Sequence, residues 1–316
     1  MFSRRVLVAL ALSMLAAAAT AQQYPTRPIR VIVGYGPGGV TDVIARIFAD
    51  EFSKRLGQPA VVENRPGASA LIAATAVKNA APDGHMLFAG SSTPFSPIFL
   101  KENPIVASRD MAPVAMLGQG DWFMYAPANL PIRNLSELAA WAKANPGQLR
   151  FSSPAVVNTM LFSVAAKRLG AEFESISYKT SDQTITAMLG GDGQVTLNSV
   201  SGFQQFVQGG RLRMIATLSP QRSNQFPDVP TATEQGVPMS NSLSFGLWTT
   251  QGTPRAAIMK LNATVLEAGT SAAVQERVRN IALVTSRMSP EEVGKLHDSD
   301  TQVLSEAAVI GGFKPQ

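Results

Sequence analysis

The 316-residue chain contains no cysteine and only two histidines, His85 and His297. The absence of cysteine excludes disulfides, thiolate metal sites and cysteine nucleophiles. Two histidines leave little scope for a zinc site or for catalysis by a serine–histidine pair. Charged residues are few as well, at 16% against 45% hydrophobic residues, and this apolar fraction excludes a disordered chain. We therefore expect a folded protein that uses no metal and no cofactor.

The first 21 residues have the features of a secretory signal peptide. Arg4 and Arg5 give the segment a positive start, residues 6–18 form an apolar run, and residues 19–21 are small, as at a cleavage site. The alternative is a retained anchor helix, but the apolar run is too short to span a bilayer comfortably. We expect the mature chain to begin at Gln22 and to be periplasmic.

Basic side chains exceed acidic ones only slightly once this segment is removed. Removing Arg4 and Arg5 lowers the 27 basic side chains to 25, against 22 acidic ones, so the net charge falls from +5 to +3. The lysines and arginines are scattered, without a run of three or interleaved aromatic residues. A surface that follows phosphates needs clustered positive charge, so we expect no nucleic-acid partner.

From residue 29 the chain alternates strands with helices. Such alternation predicts an α/β fold with parallel strands and helical crossovers. The length exceeds what one hydrophobic core usually supports, so we expect two domains. Strands are predicted at 29–33, 60–62, 86–89, 149–152, 175–178, 195–198, 214–218 and 243–249. Helices are predicted in the C-terminal segment and at 41–56, 71–79, 136–144, 160–169, 182–189 and 203–208.

Two loops at the carboxyl ends of predicted strands are rich in hydrogen-bond donors. Residues 34–39 lead into the first helix, where glycines expose backbone N–H groups beside the positive end of the helix dipole. Residues 90–93 follow the third strand, and open α/β sheets bind ligands at this edge. The alternative is that both loops are only tight turns and caps. The candidate ligand-binding residues here are Tyr35, Gly38, Gly39, Thr41, Asp42, Ser91, Ser92 and Thr93.

The second α/β series supplies hydroxyl and amide side chains near strand ends and helix starts. Such groups can hydrogen-bond a distal carboxylate or a ring substituent. Helix capping is the alternative for Asn158 and Thr159. Asn198 is the stronger candidate, because an amide at a buried strand end needs a partner. The candidates from this half are Ser152, Ser153, Asn158, Thr159, Tyr178, Thr180 and Asn198.

Several segments resemble one protein family in their order and spacing. Residues 33–46, which hold the glycine loop, resemble the first strand–helix signature of Bug-type solute-binding proteins. These proteins are the extracytoplasmic receptors of tripartite tricarboxylate transporters. Residues 64–67 (Asn-Arg-Pro-Gly) and 227–231 (Pro-Asp-Val-Pro-Thr) fit the same family, and the resemblance covers nearly the whole mature chain.

The resemblance implies a two-lobed periplasmic-binding-protein fold, type II-like, with crossover strands as hinges. Lobe one would comprise residues 22–125 and 245–316, and lobe two residues 126–244. The lobes would close on a small organic carboxylate held by backbone amides, hydroxyls and water, with few arginines and no catalysis. The implied partners are the membrane subunits of a tripartite tricarboxylate-type transporter, or a sensor protein in the alternative role. We expect a monomer.

Departures from the family pattern bear on the ligand. Residues 154–160 lack the glycines and the histidine that are common in this loop, and Asn198 stands where an aspartate is often found. Because the ammonium group of an amino acid would want a carboxylate partner, this loss disfavours amino acids. A dicarboxylate or an aromatic carboxylate is the favoured ligand.

Ordinary structural roles account for the two histidines and for three aromatic residues near the predicted crossovers. Trp122, Phe245 and Trp248 could form a wall of the cleft, but core packing is the favoured interpretation. His85 is expected to be structural. His297, on a polar C-terminal helix, is expected to be exposed.

Two enzymatic or cofactor-binding interpretations compete with a receptor. Residues 34–39 formally match G-x-G-x-x-G, and Glu63 lies near where a ribose-binding acid would stand. Export of the chain, the missing N–H of Pro37 and the family-like flanks count against a dinucleotide site. An exported hydrolase is disfavoured because no G-x-S-x-G, H-E-x-x-H, Walker or S-x-x-K motif with partners is present.

Overall fold

The structure is a computed structural model that describes residues 24–95, 105–178, 180–200 and 202–312. The predicted signal peptide, residues 1–21, lies outside the described residues. Over the described ranges, no helix has both the length and the apolar character needed to cross a membrane.

Strands and helices alternate along the described chain, as the sequence pattern predicts. The strands are β1 (Ile29–Val33), β2 (Ala60–Asn64), β3 (Met86–Gly90), β4 (Met111–Asp121), β5 (Phe123–Pro127), β6 (Arg150–Ser153), β7 (Glu174–Ser177), β8 (Val195–Asn198), β9 (Leu212–Thr217) and β10 (Ser242–Thr250). The helices are α1 (Val40–Leu56), α2 (Leu71–Lys78), α3 (Ala107–Asp110), α4 (Leu135–Ala144), α5 (Val156–Leu169), α6 (Ser181–Gly190), α7 (Gln204–Gln208), α8 (Arg255–Ala268), α9 (Ala272–Arg279) and α10 (Pro290–Gly311).

The strands form two five-stranded sheets with the same arrangement. The first sheet has the order β2-β1-β3-β10-β4 and the second the order β7-β6-β8-β5-β9. In each sheet three strands run parallel, and the fourth strand in the order runs antiparallel to both of its neighbours. We call the half built on the first sheet the first lobe and the other half the second lobe. The predicted two-lobed α/β fold is confirmed.

Over the described residues, the chain passes from one sheet to the other twice. It leaves the first sheet at Asp121 and enters the second at Phe123, so Trp122 is the outgoing crossover. It returns between Thr217 and Ser242. The sheets therefore favour a lobe boundary at Trp122, slightly before the predicted boundary at residue 125, and the assignment of every segment to a lobe stays a prediction.

Strand β4 has no counterpart among the predicted elements. Its sequence contains Pro113, Gly118 and Gly120, which are residue types that strands disfavour. The strand forms because it lies at the edge of the first sheet, where proline is tolerated, and because β10 pairs along its length. Tertiary pairing here overrides local preference.

Helix α10 packs against both lobes. It begins with a capping box in which Ser289 and Glu292 exchange hydrogen bonds with each other's backbone N–H groups. Val293, near its start, packs in a core cluster of the first lobe. Leu304 and Ala307, near its end, pack in the core of the second lobe. The helix therefore ties the two cores together.

The prediction that His297 is exposed is wrong. The imidazole is buried on α10, with its ring 4.8 Å from the ring of Phe95 and 5.8 Å from that of Trp248. Burial lowers the pKa of His297 to about 4. The prediction failed because the polar neighbours of His297 in sequence, such as Asp298, are exposed while His297 itself lies on the buried face of the helix. His85 is also buried, and its Nε2 accepts a hydrogen bond from the Thr26 N–H.

A left-handed turn stands directly behind the glycine loop. Ala68, Ser69 and Ala70 have φ angles of 46°, 52° and 73°, in the region that disfavours residues with a side chain. Gly34 lies against this turn, and a side chain on Gly34 would collide with Ala70. The turn therefore sets where the glycine loop begins.

We expect Ser69→Gly to stabilise the protein by about 0.5–1 kcal/mol. Ser69 is exposed, so the change removes little besides the strain of its left-handed backbone, and relief of that strain exceeds the added flexibility of the unfolded chain. Chemical denaturation of both proteins measures the difference. The control is Ser136→Gly, an exposed position in α4, which should destabilise by roughly 0.5 kcal/mol. Equal destabilisation by both variants would show that the backbone at Ser69 is not strained.

Candidate functional site

A cavity of about 390 Å³ lies between the two lobes. Its wall combines the loops after β1, β3, β6, β7 and β8 with the start of β10 and one face of α10. The lining residues are Tyr35, Gly39, Val40, Thr41, Ser91, Ser92, Thr93, Trp122, Pro154, Ala155, Val157, Asn158, Thr180, Ser181, Asn198, Ser199, Asn241, Ser242, Leu243, Ser244, Phe245, Asp300 and Leu304. The carboxyl ends of both parallel sets of strands thus meet at one cavity, as expected for α/β sheets.

The first turns of three helices line this cavity. Helix α1 begins after Gly39 and α5 after Ala155, and neither of these residues offers a side chain that caps the helix. The first N–H groups of such a helix have no acceptor within the helix, and they carry the positive end of its dipole. Helix α6 begins at Ser181, where the Thr180 side chain accepts a hydrogen bond from the Gln183 N–H. The arrangement favours an anion placed between the lobes.

The Asp42 carboxylate holds the glycine loop in place. It accepts hydrogen bonds from the Gly38 N–H at 3.0 Å, from Arg46 at 2.9 Å and from Asn64 at 2.8 Å. Burial raises the pKa of this carboxyl, but the hydrogen bonds from Arg46, Gly38 and Asn64 outweigh burial and hold it below its usual value. Gly38 has a φ of 83°, which suits glycine. Asp42 and Gly38 therefore shape the loop and do not line the cavity.

Tyr35 connects the glycine loop to the loop after β3. Its hydroxyl hydrogen-bonds the side chains of Ser91 and Thr93, which are also 2.9 Å from each other. Although 37% of the residue is exposed, its hydroxyl lies in this cluster, and burial there raises its pKa while the two hydrogen bonds oppose the shift. Tyr35 is therefore a neutral phenol beside the hydroxyls of the first lobe.

Two asparagines face the cavity from the second lobe. Asn158 is fixed by a hydrogen bond of 2.6 Å from its Nδ2 to the Leu197 carbonyl. Asn198 has only long hydrogen bonds, 3.3 Å from Ser181 Oγ and 3.4 Å to Thr196 Oγ1. Its amide is buried at the end of β8, as expected from the sequence. The weak bonds leave the Asn198 amide ready to bond a ligand.

Four further candidates from the second lobe, Ser152, Ser153, Thr159 and Tyr178, lie outside the cavity wall. The Ser153 hydroxyl donates to the Ala155 carbonyl at 2.6 Å. Thr159 points to the outer side of α5, where its hydroxyl is 3.1 Å from that of Ser175. Tyr178 is half-buried beyond β7 and is held by its backbone N–H. Together with Gly38 and Asp42, these residues support the loops that form the cavity wall.

The floor of the cavity comes from the crossovers, which the sequence indicated only in part. Trp122 Nε1 donates to Asn241 Oδ1 at 3.1 Å, and both residues line the cavity together with Phe245. Core packing was the favoured interpretation of these aromatics, and it holds for Trp248, which packs against Phe88. Trp122 and Phe245 are buried but also form cavity wall, because the crossovers run directly beneath the cleft.

Asp300 lines the cavity but is absent from the candidates predicted from the sequence, as are Ser244 and Asn241. Its Oδ2 accepts a hydrogen bond of 2.8 Å from Ser244 Oγ. Burial raises the pKa of Asp300 to about 6, although the hydrogen bond from Ser244 opposes the shift. A usable signal was present: Asp300 falls on the apolar face of α10, seven residues after Val293 and four before Leu304. An acid on such a face needs an explanation.

Comparisons with known proteins agree with this geometry. The family model of the tripartite tricarboxylate transporter family receptor, TctC, matches residues 44–310. Protein BugT of Bordetella pertussis is 36% identical over 271 residues, which cover 83% of this chain and 82% of BugT. The structure of the periplasmic binding protein BugD has a TM-score of 0.78 at 25% identity and covers 93% of this chain and 100% of its own.

A further solved structure carries a ligand. MatC of Rhodopseudomonas palustris, with bound malate, has a TM-score of 0.77 at 26% identity and covers 90% of this chain and 99% of its own. The predictions of a Bug-type receptor and of a binding protein without catalysis are thereby confirmed. The chain belongs to the family of Bug-type receptors of tripartite tricarboxylate transporters, which are periplasmic solute-binding proteins.

Proposed function

We propose that this protein captures a small organic carboxylate in the periplasm and delivers it to the membrane subunits of a tripartite tricarboxylate-type transporter. The observation that carries the proposal is the meeting of three helix N-termini, those of α1, α5 and α6, at one cavity. Their N–H groups attract an anion from both lobes at once. The malate held by the related MatC supports a carboxylate, and the predicted signal peptide supports export.

The cavity wall favours a carboxylate with a hydrocarbon or aromatic body. Hydroxyl and amide groups such as Thr41, Ser92 and Asn198 lie at the strand ends, where a carboxylate would bind. Apolar groups such as Trp122 and Phe245 form the floor between them. A dicarboxylate or an aromatic carboxylate presents polar ends and an apolar middle, so it matches this division better than a compact polar ion does.

The mature protein, residues 22–316, is expected to be stabilised by a member of a carboxylate panel. The panel comprises C4–C6 dicarboxylates, citrate, acidic amino acids, and benzene and pyridine acids, with uncarboxylated analogues as controls. A ligand at 100 times its dissociation constant should stabilise by about 2.7 kcal/mol, a melting shift of a few degrees. The proposal would be contradicted if only the uncarboxylated controls raised the melting temperature, or if no member of the panel raised it.

We expect Asn198→Ala to weaken binding of the panel's best carboxylate about tenfold or more. The change removes a buried amide whose bonds within the protein are long, so the protein loses little while the ligand loses a hydrogen bond worth about 1–3 kcal/mol. Calorimetric titration measures the affinity. The control is Asn224→Ala, an exposed asparagine outside the cavity, which should bind as the wild type does. Unchanged affinity of Asn198→Ala would remove this residue from the site.

Ligand binding is expected to change the fluorescence of Trp122. This indole lies in the cavity floor at the outgoing crossover, where closure of the lobes alters its surroundings, whereas Trp141 lies on α4. Trp122→Phe should therefore lose most of the ligand-induced signal while still showing the thermal shift. Trp141→Phe should keep the signal, and the reverse result would place the ligand elsewhere.

A further inference from the structure

The carboxyl group of Asp300 lies in the wall of a cavity that otherwise favours anions. Asp300 extends from α10, and only 7% of its surface is exposed. Its Oδ2 accepts the hydrogen bond from Ser244. Among the described residues, no hydrogen bond to Oδ1 is found, and Asp300 is part of the cavity wall. A carboxylate ligand would therefore meet a second carboxyl group.

No cation compensates Asp300 in the described part of the chain. The described part of the cavity wall contains no lysine or arginine, and β10, which carries Ser244, has no charged residue. His297, one turn earlier on α10, is uncharged near neutral pH because burial lowers its pKa. Tyr35, the other titratable group of the wall, has a raised pKa and is neutral.

Besides Phe95 and β10, the elements packed against α10 are α5, β4 and α8, and their charged groups lie away from the cavity. Lys167 of α5 lines a separate outer groove beside Ile310. The partners of the others are Pro238 for Arg168, Ser219 for Asp121, Glu291 for Arg255, Tyr24 for Lys260 and Arg55 for Glu267. None of these residues lines the cavity.

We propose that Asp300 takes up a proton from solvent when the cavity closes on a carboxylate, so that ligand and proton are captured together. In the complex the protonated Oδ1 donates a hydrogen bond to a ligand carboxylate oxygen. The ligand keeps its negative charge, and the second charge is neutralised by the proton. This inference rests on the proposed function, because it requires an anionic ligand.

Proton uptake is the least costly way to place two carboxyl groups together here. Two adjacent carboxylates without a cation disfavour a doubly ionised state, and one of them holds a proton instead. Burial already brings the pKa of Asp300 to about 6 before any ligand enters. Protonating Asp300 at pH 7 therefore lowers the affinity only about tenfold relative to a protein in which the acid is already protonated. The neutral acid then serves as a hydrogen-bond donor.

The test is calorimetric titration of wild-type and Asp300→Asn proteins with adipate, malate and benzoate between pH 6 and pH 8. The protonated fraction of a group with a pKa of about 6 falls from about one half to about one hundredth over this range. Wild-type affinity is therefore expected to fall about 50-fold. Asparagine keeps a donor and does not titrate, so Asp300→Asn should bind with little pH dependence and more tightly than the wild type at pH 8.

Comparison with Asp300→Asn also corrects for ionisation of the ligands themselves, because wild type and variant are titrated with the same ligands over the same pH range. Asp298→Asn, an exposed position on the same helix, is the matched control and should retain the wild-type pH dependence. Loss of binding by Asp300→Asn at every pH would overturn the inference, since the carboxylate would then accept a donor such as an ammonium group of the ligand. A wild-type affinity as flat as that of the variant would overturn it as well.

Proton uptake by the wild type gives a second readout that needs no variant. Titrations at pH 7 in two buffers with different ionisation enthalpies should show uptake of about 0.9 proton per ligand bound. Binding without uptake overturns this inference and leaves the proposed function standing. Absence of binding by all three probes and the full carboxylate panel overturns both.

Discussion

The helix N-termini of α1 and α5, which no side chain caps, are the constraint on which the site depends. Gly39 and Ala155 occupy positions where serine, threonine or aspartate would normally cap a helix. Because neither has a side chain that caps the helix, each lobe presents N–H donors of a first helical turn at the cavity. One anion between the lobes can satisfy donors on both sides, which links binding to closure. The Asp42 carboxylate supports this arrangement by holding the loop through Gly38.

Helix α10 makes the cavity sensitive to the relation between the lobes. Its start packs with the first lobe through Val293 and its end with the second through Leu304. Asp300 lies between these anchors and bonds Ser244, near the returning crossover. A rotation of the lobes about the crossovers therefore moves the acid relative to at least one helix N-terminus. The same helix that joins the cores places a titratable group in the cavity wall.

Much of the fold could be predicted because local signals and tertiary packing agree. The glycine loop, the end of α1 at Gly57 and the strand ends carry their own turn residues, so both donor-rich edges follow from the sequence. Strand β4 and the cavity floor at Trp122 could not be found in this way, because each depends on which distant segment packs beside it. The spacing along α10 marks Asp300 as an acid on an apolar face, but it does not show the cavity that this residue lines.

The absence of a lysine or arginine from the described cavity wall gives selectivity a particular form. A guanidinium would attract many anions, whereas N–H and hydroxyl donors stabilise only a carboxylate whose oxygens lie within hydrogen-bonding distance of them. Asp300 adds repulsion against any anionic group that approaches α10 while the acid is ionised. Specificity here comes from penalties as well as from contacts. A ligand of this receptor must therefore suit the donors at the strand ends and also tolerate, or neutralise, the carboxyl group beside the hinge.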